Sequence, residues 1–236
     1  MVKSKRILLK ISGEGLSGDG RSICVDKLNN FALKIKNFIE SGYVVSLVVG
    51  GGNIFRGIKT DASFINRTTA DNMGMLATVF NGLAVSDALF SLGIDNSVMS
   101  AIEMNKICEF YSVNKAKEYL DKNIVLIFVG GTANPFCSTD SAAVLRAIET
   151  NCDLLLKGTQ VNGVYDCDPK KFENAKKYDV ITYDEVIKND LKIMDTSSIV
   201  MAKNFNLNII IFNIHSEKSI LETINNSESY TIIKNL

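Results

Sequence analysis

Two lysines of this 236-residue chain stand near the end of apolar runs that lead into small polar turns. Lys10 lies in "RILLKISGE", where Ser12 and Gly13 follow it, and Lys157 lies in "LLLKGTQ". An ammonium group at a strand end can neutralise phosphate charge, and a neighbouring glycine lets the backbone approach the same ligand. For either lysine alone, the alternative is a side chain that merely extends from the sheet into water.

The segment "VVGGGNIFRG" offers a second set of phosphate-binding groups. Its three glycines leave the amides of a turn open to an anion, and Arg56 supplies a guanidinium fork suited to phosphate oxygens. A loop that needs several positive φ angles is the alternative. The dinucleotide fingerprint fails because Phe55 stands where its third glycine should be, and no GxxxxGK[ST] occurs. We therefore interpret Asp71, about twenty residues on, as a helix N-cap rather than a ribose ligand of NAD.

Two further segments carry the same kind of chemistry. In "VGGTANPFCSTDSAA" (129–143) a glycine turn leads through hydroxyl and amide side chains into a helix that Thr139 or Asp140 is predicted to cap. In "LLLKGTQVNGVYDCDPKK" (154–171) the lysine strand precedes "VNGV", a hairpin-turn signal, and then an aromatic ring among acids. The coincidence of four such segments predicts a site for a highly charged, phosphorylated ligand.

Alternating apolar runs and amphipathic segments predict an α/β fold. We predict strands at 6–11, 43–49, 96–101, 123–129, 152–158 and 207–214, and helices at 26–41, 71–93, 113–121 and 141–151. Continuous Val/Ile/Leu strands separated by helices favour a mainly parallel sheet covered on both faces. Ligands of such sheets bind beyond the carboxyl ends of the strands, where all four segments fall. One domain over residues 1–236 is predicted.

Composition excludes several other classes of protein. The formal net charge is zero, which gives no basic field for nucleic acid. The five cysteines form no CxxC pair, which is typical of reduced thiols and predicts a cytoplasmic protein. The single histidine, His215, argues against a zinc site or a Ser-His pair. The uninterrupted apolar runs are of strand length, so no membrane association is predicted.

Together, "KRILLKISGE", "GGGNIFRG", "DNMGMLATVFNGLA", "TANPFCSTDSAA" and "LLKGTQVNGVYDCDP" resemble the bacterial uridylate (UMP) kinases of the amino-acid kinase superfamily, over almost the whole chain. The resemblance implies a three-layer α/β/α sandwich with a mainly parallel central sheet. It implies an enzyme that transfers a phosphoryl group from ATP to UMP, giving UDP and ADP, in pyrimidine nucleotide (CTP) biosynthesis. It also implies a homohexamer, and Mg²⁺ carried by ATP rather than by a protein metal site.

The resemblance also implies a role for each matching residue. Those implied for ATP are Lys10, Ile11, Ser12, Gly13, Gly52, Arg56, Thr159, Tyr165 and Asp168. Those implied for UMP are Gly51, Asp71, Thr132, Ala133, Asn134, Pro135, Phe136, Cys137, Ser138 and Thr139. Those implied for catalysis are Lys10, Arg56, Asp140 and Lys157. Asp140 is expected to orient a lysine or a metal-bound water rather than to act as a base, because the acceptor phosphate is already largely ionised.

One region departs from the family pattern. Many members are activated by GTP through arginine and histidine side chains on and after the long helix, where this chain has Ser86, Phe90 and Ser97 and keeps Asp87. Regulation by GTP therefore stays open. Two other functions also stay open at this point: a kinase of the same fold acting on a carboxylate or carbamate, and a nucleotide-binding protein without turnover. The apolar helix at 71–93 is predicted to bury more than one face and to form a subunit interface.

Overall fold

A computed structural model of the protein describes residues 5–18, 20–55, 64–214, 216, 221–222 and 226–235. Its strands are β1 (Arg6–Ile11), β2 (Val44–Val49), β3 (Asn96–Ser100), β4 (Glu109–Phe110), β5 (Val125–Val129), β6 (Leu154–Thr159), β7 (Val164–Tyr165), β8 (Lys177–Tyr178), β9 (Val180–Thr182), β10 (Asn208–Asn213) and β11 (Tyr230–Lys234). Its helices are α1 (Val25–Glu40), α2 (Arg67–Ser91), α3 (Val113–Asp121), α4 (Thr139–Glu149), α5 (Tyr183–Lys188) and α6 (Thr196–Asn204). Strands and helices alternate along most of the chain, as predicted.

The central sheet has the order β4-β3-β5-β2-β1-β6-β10-β11-β9. Its neighbouring strands are parallel except for the antiparallel pair β10–β11. Every residue of β2 and β5 is buried, which explains why these strands read as continuous apolar runs rather than as alternating ones. β7 and β8 form a separate antiparallel pair.

Helices cover both faces of this sheet. One apolar core lies between the sheet and the α1/α2 layer, to which α1 contributes Phe31, Ile35 and Phe38. A second core lies on the opposite face, where α3, α4, α5 and α6 pack, with Val144 of α4 among its members. The predicted three-layer α/β/α sandwich with a mainly parallel sheet is confirmed. The single domain over 1–236 stays a prediction.

Three local predictions were wrong. The long helix begins at Arg67 and is capped by Asn66, so Asp71 lies inside α2 and is not its N-cap. The N-cap of α4 is Ser138 rather than Thr139 or Asp140. The Ser138 hydroxyl accepts hydrogen bonds from the backbone N–H groups of Asp140 and Ser141. The hairpin turn at 161–164 does not join paired strands, because β6 and β7 belong to different sheets.

Helix α2 bears on the prediction that no segment spans a membrane. It is long and apolar enough to cross a membrane by length and composition. Half of its apolar stretch is buried inside the fold, however, as in the core helix of a globular protein. Length and composition are therefore weak grounds for a membrane span here.

Candidate active site

Lys10 and Lys157 are direct neighbours across two parallel strands. They are register partners of the β1–β6 pair, and each residue is only 8% exposed. Side chains alternate between the faces of a strand, and Leu8 and Leu155 belong to the core on the α4 side of the sheet. Lys10 and Lys157 lie two residues further along, so both ammonium groups reach toward the beginning of α4.

Asp140 in the first turn of α4 receives both ammonium groups. Lys10 Nζ lies 2.8 Å from its Oδ1 as an ion pair, and Lys157 Nζ donates a hydrogen bond of 2.7 Å to its Oδ2. Burial would raise the pKa of this carboxyl group, but the positive charges of the two lysines outweigh burial and lower it. Asp140 is therefore ionised and holds two cations side by side at the edge of the sheet.

The surroundings of Lys157 disfavour the charged form of its side chain. Burial lowers the pKa of this lysine, the negative charge of Asp140 opposes that effect, and repulsion from Lys10 adds to it. Its ammonium group also donates to the backbone carbonyl of Ile193, in the segment between α5 and α6. Two ammonium groups converge on the Asp140 carboxylate, while the charge of Asp195 acts more weakly on Lys157, and this concentration of cations suits an anionic ligand.

The glycine turn after β2 packs directly on the turn after β1. A Cβ atom on Gly13 would lie 2.6 Å from the carbonyl oxygen of Gly50, and one on Gly51 would lie 2.8 Å from the carbonyl oxygen of Gly74 in α2. These positions therefore need glycine for close approach. Behind the turn, the buried side chain of Asn81 donates to Gly50 O at 2.7 Å and to Asn53 Oδ1 at 2.7 Å, which fixes the glycine backbone to α2.

The loop after β5 is held in an unusual conformation by α2. Ala133 and Phe136 have φ values of 61° and 68°, in the left-handed region that L-residues seldom adopt. The backbone N–H of Phe136 donates to Asp71 Oδ2 at 2.8 Å, and Arg67 Nε contacts both oxygens of that carboxylate at 2.9 and 2.8 Å. The guanidinium group of Arg67 also lies 5.6 Å from the centre of the Phe136 ring. Strained backbone of this kind concentrates at ligand sites.

Among the described residues, three clefts that share parts of their walls open along the carboxyl edge of the sheet. The first, of about 540 Å³, has Lys10, Gly13, Gly51 and Asp71 in its lining. An inner cleft of about 290 Å³ shares Lys10 and Ser12 with the first and adds Lys157 and Thr159. An outer cleft of about 450 Å³ contains Tyr165 and Asp168 and shares part of its wall with the inner one. The three clefts thus form one continuous groove with the lysine pair near its middle.

Most of the predicted site residues meet at this groove, but not all of them. Those in its lining are Lys10, Ser12, Gly13, Gly51, Gly52, Asp71, Cys137, Ser138, Thr139, Lys157, Thr159, Tyr165 and Asp168. Those not in its lining are Ile11, Thr132, Ala133, Asn134, Pro135, Phe136 and Asp140, although Asp140 contacts both lysines. Arg56 and His215 lie outside the described residues.

Sequence reasoning missed several groups that shape the groove. Gly74, Met75 and Thr78 of α2 line the first cleft, and the Thr78 hydroxyl accepts the backbone N–H of Gly130 at 2.8 Å. A helix face that is apolar along most of its length gave no sign that one turn of it borders a ligand cleft. Lys192, which lines both the inner and outer clefts, follows a short helix without any motif around it.

The expectation that Mg²⁺ is carried by ATP rather than by a protein metal site stays a prediction. Within the described ranges, no group of three His, Cys, Asp or Glu side chains could hold a metal ion. Oδ1 of Asp140 is buried and faces the ammonium group of Lys10 at 2.8 Å as an ion pair. One carboxylate oxygen can orient a metal-bound water, whereas a resident magnesium site needs more oxygen ligands than this.

Residues 5–213 match the sequence profile of the amino acid kinase family. The chain belongs to this family. Within it, the chain is 50% identical to the uridylate kinases of Rickettsia bellii and Rickettsia typhi, over 99% of its own length and 98% and 96% of theirs. Its structure resembles the UMP kinases of Ureaplasma parvum and Bacillus anthracis, with TM-scores of 0.94 and 0.93 and identities of 40% and 36%. These alignments cover 99% and 98% of this chain and 100% and 96% of the two solved chains.

Proposed function

We propose that the chain is a UMP kinase, which transfers the γ-phosphoryl group of ATP to UMP and releases UDP and ADP. The observation that carries this proposal is the continuous groove with two lysines at its middle, because two nucleotides meeting by their phosphates need that shape and charge. The first cleft takes UMP, and the inner and outer clefts take the triphosphate and the adenosine of ATP. Uridylate kinases at 50% identity support the same assignment.

The side chains at the centre of the groove position phosphates and neutralise charge. Phosphoryl transfer has a loose transition state, so alignment and charge stabilisation contribute more than covalent chemistry. Lys10 and Lys157 bind the phosphate oxygens that gain charge, and Asp140 keeps the two ammonium groups together. Mg²⁺ bound to ATP supplies further charge neutralisation, and Asp140 is the residue of this chain that would orient its water ligands.

The proposed recognition of UMP depends on the glycine turn and the loop after β5. The Gly51 backbone approaches the UMP phosphate, and Asp71 binds the ribose hydroxyls. Asp71 also accepts a hydrogen bond from the Phe136 N–H. The carboxylate that binds the ribose therefore also holds the loop that surrounds the uracil. On the ATP side, Thr159, Tyr165 and Asp168 hold the adenosine.

We further propose that the enzyme is a cytoplasmic homo-oligomer, with the hexamer implied by the family resemblance. An exposed stripe on α2 supports an interface between copies: Met73, Leu76, Phe80, Leu83 and Phe90 recur at intervals of three, four and seven residues. The five cysteines, all within the described residues, are free, which supports a reducing compartment. Sedimentation of the purified protein measures the oligomer.

The region that departs from the family pattern makes internal contacts instead. Ser86 donates to Asn96 Oδ1 at 2.6 Å, and Ser97 donates to Glu109 Oε1 at 3.4 Å. The hydroxyl groups of Ser86 and Ser97 offer no positive charge to an anionic effector, and the carboxylate of Glu109 is itself paired with Lys115 Nζ at 2.5 Å. We expect GTP to leave the rate of the enzyme unchanged, and adding GTP to the kinetic assay tests this.

The deciding experiment is turnover of the purified protein with ATP and Mg²⁺, followed by ADP release. UMP is expected to react faster than CMP, and acetylglutamate and carbamate are expected not to react. Faster reaction of a carboxylate or carbamate would identify a different kinase of the same fold. Tight nucleotide binding without ADP release from any acceptor would identify a binding protein without turnover.

A further inference from the structure

The inner and outer clefts share one short stretch of wall. The residues common to both linings are Val161, Gly163, Lys192 and Ile193. Lys192 is the charged residue of this set, and it is separate in sequence from every motif that defines the site. A ligand that extends from the outer cleft to the lysine pair must pass this junction, because Lys10 and Lys157 lie in the inner cleft.

The backbone beside Lys192 is fixed to the centre of the site. The carbonyl oxygen of Ile193 accepts a hydrogen bond from the ammonium group of Lys157, whose strand neighbour is Lys10. The position of Lys192 along the groove is therefore tied to the two buried cations, although its own side chain lies in solvent. This contact makes the segment after α5 part of the phosphate region rather than a distant loop.

The ammonium group of Lys192 is free to change partners. It lies 2.5 Å from Asp190 Oδ1, but the two side chains are 79% and 74% exposed. Exposed ion pairs of this kind contribute little to stability because water and salt screen them. A phosphate group carries more negative charge than one carboxylate, so it can draw the ammonium group away from Asp190.

We propose that Lys192 binds the phosphate chain of the donor nucleotide where the inner and outer clefts join. This inference rests on the proposed function only in taking these clefts as the ATP side of the groove. Lys192 is then a third cation on the triphosphate, beside Lys10 and Lys157. Its side chain holds the chain of phosphates between the adenosine and the transferring group, and it makes no contact with UMP.

The test compares Lys192→Met with wild type by calorimetric titration of adenosine and of ATP with Mg²⁺, without UMP. Methionine keeps the length and apolar stem of the side chain but removes the charge. We expect ATP to bind about tenfold more weakly, because a hydrogen bond to a charged group is lost, and adenosine to bind as in wild type. Lys192→Arg is expected to restore most of the affinity for ATP.

Two control variants separate ligand binding from a structural role. Lys188→Met removes an exposed lysine at the end of α5 that lies outside the cleft linings, and it should leave ATP binding unchanged. Asp190→Asn breaks the ion pair but keeps Lys192, and asparagine tolerates the φ of 48° at this position. If the ion pair mattered only for the local turn, Asp190→Asn would weaken ATP binding as much as Lys192→Met does.

Three results would overturn the proposal: unchanged ATP affinity in Lys192→Met, an equal loss for adenosine and ATP, or the same loss in Asp190→Asn. The outcome is independent of the acceptor. Wild-type protein that binds ATP through Lys192 but fails to phosphorylate UMP would refute the proposed function and leave this inference standing. If wild type phosphorylates UMP and Lys192→Met binds ATP normally, the inference about Lys192 is refuted and the proposed function stands.

Discussion

Asp140→Asn tests the electrostatic centre of the site. The carboxylate side chain is 13% exposed and lies 2.8 Å from Lys10 Nζ and 2.7 Å from Lys157 Nζ. At these distances each pair attracts by about 6 kcal/mol with an effective dielectric constant of about 20, before the cost of removing the charges from water. The net loss on breaking a buried pair is about 3–5 kcal/mol, so we expect a large fall in the free energy of unfolding.

The substitution also changes the protonation of Lys157. Burial and Lys10 lower the pKa of this lysine, and Asp140 is the main group that opposes them, with a smaller contribution from Asp195. Without the carboxylate, the pKa falls further and the side chain loses its proton at a lower pH. As pH rises through that pKa, the catalytic cation is lost and kcat of the variant falls. Over the same range the unfolded chain still binds the proton, up to about pH 10.4, so the free energy of unfolding of the variant rises.

The measurements are ADP release at saturating ATP and UMP and urea unfolding, both between about pH 6 and pH 9. We expect kcat to fall by about 100-fold near neutral pH, which corresponds to about 2.7 kcal/mol. Asp26→Asn, which changes an exposed aspartate in the first turn of α1, is the control and should behave as wild type. A kcat equal to that of wild type across the range, or activity and stability that change with pH in the same direction, would refute the reasoning.

Four other substitutions test separate parts of the groove. Lys10→Ala should lower kcat far more than it raises KM for UMP, because it removes a cation from the transition state; a change confined to KM would contradict this role. Gly51→Ala should raise KM for UMP and lower stability by about 1–3 kcal/mol in urea unfolding, since its Cβ would overlap α2. Asp71→Asn should raise KM for UMP and leave KM for ATP unchanged, and equal changes in both would argue against ribose binding. Ser138→Ala should lower the melting temperature through a loss of about 1 kcal/mol from the α4 cap, with normal unfolding showing that the cap is dispensable.

The main elements of the fold could be predicted because their residues agree at every level. The strand at 6–11 was predicted with the observed bounds, since β1 is apolar apart from Arg6 at its start and Lys10 near its end, and it is followed by a turn. Short elements such as β4, β7, β8 and α5 were missed, because two to six residues carry too little periodicity. The cap of α4 was misassigned because Ser138, Thr139 and Asp140 all have side chains that can cap a helix.

The site could be predicted only where chemistry and sequence position coincide. Lys10 and Lys157 were identified because a charged residue inside an apolar strand is rare and both strands end at the ligand edge. Their ion pairs with Asp140 confirm that these lysines meet, while their catalytic roles stay predictions. Lys192 and Thr78 gave no signal, because an exposed lysine and a helical threonine have many ordinary structural reasons to exist.

The register of β1 against β6 has a consequence for how a protein of this fold could evolve a different acceptor specificity. Main-chain pairing sets the spacing of the Lys10 and Lys157 backbones, and Asp140 in the first turn of α4 holds their ammonium groups, so replacing loop residues that precede α4 would leave this centre in place. In the proposed function, selectivity for the acceptor comes from those loops, so they could be exchanged for others while the charged centre stayed in place. A designer who wanted a new phosphoryl acceptor would therefore rebuild residues 131–138 and leave the strands untouched.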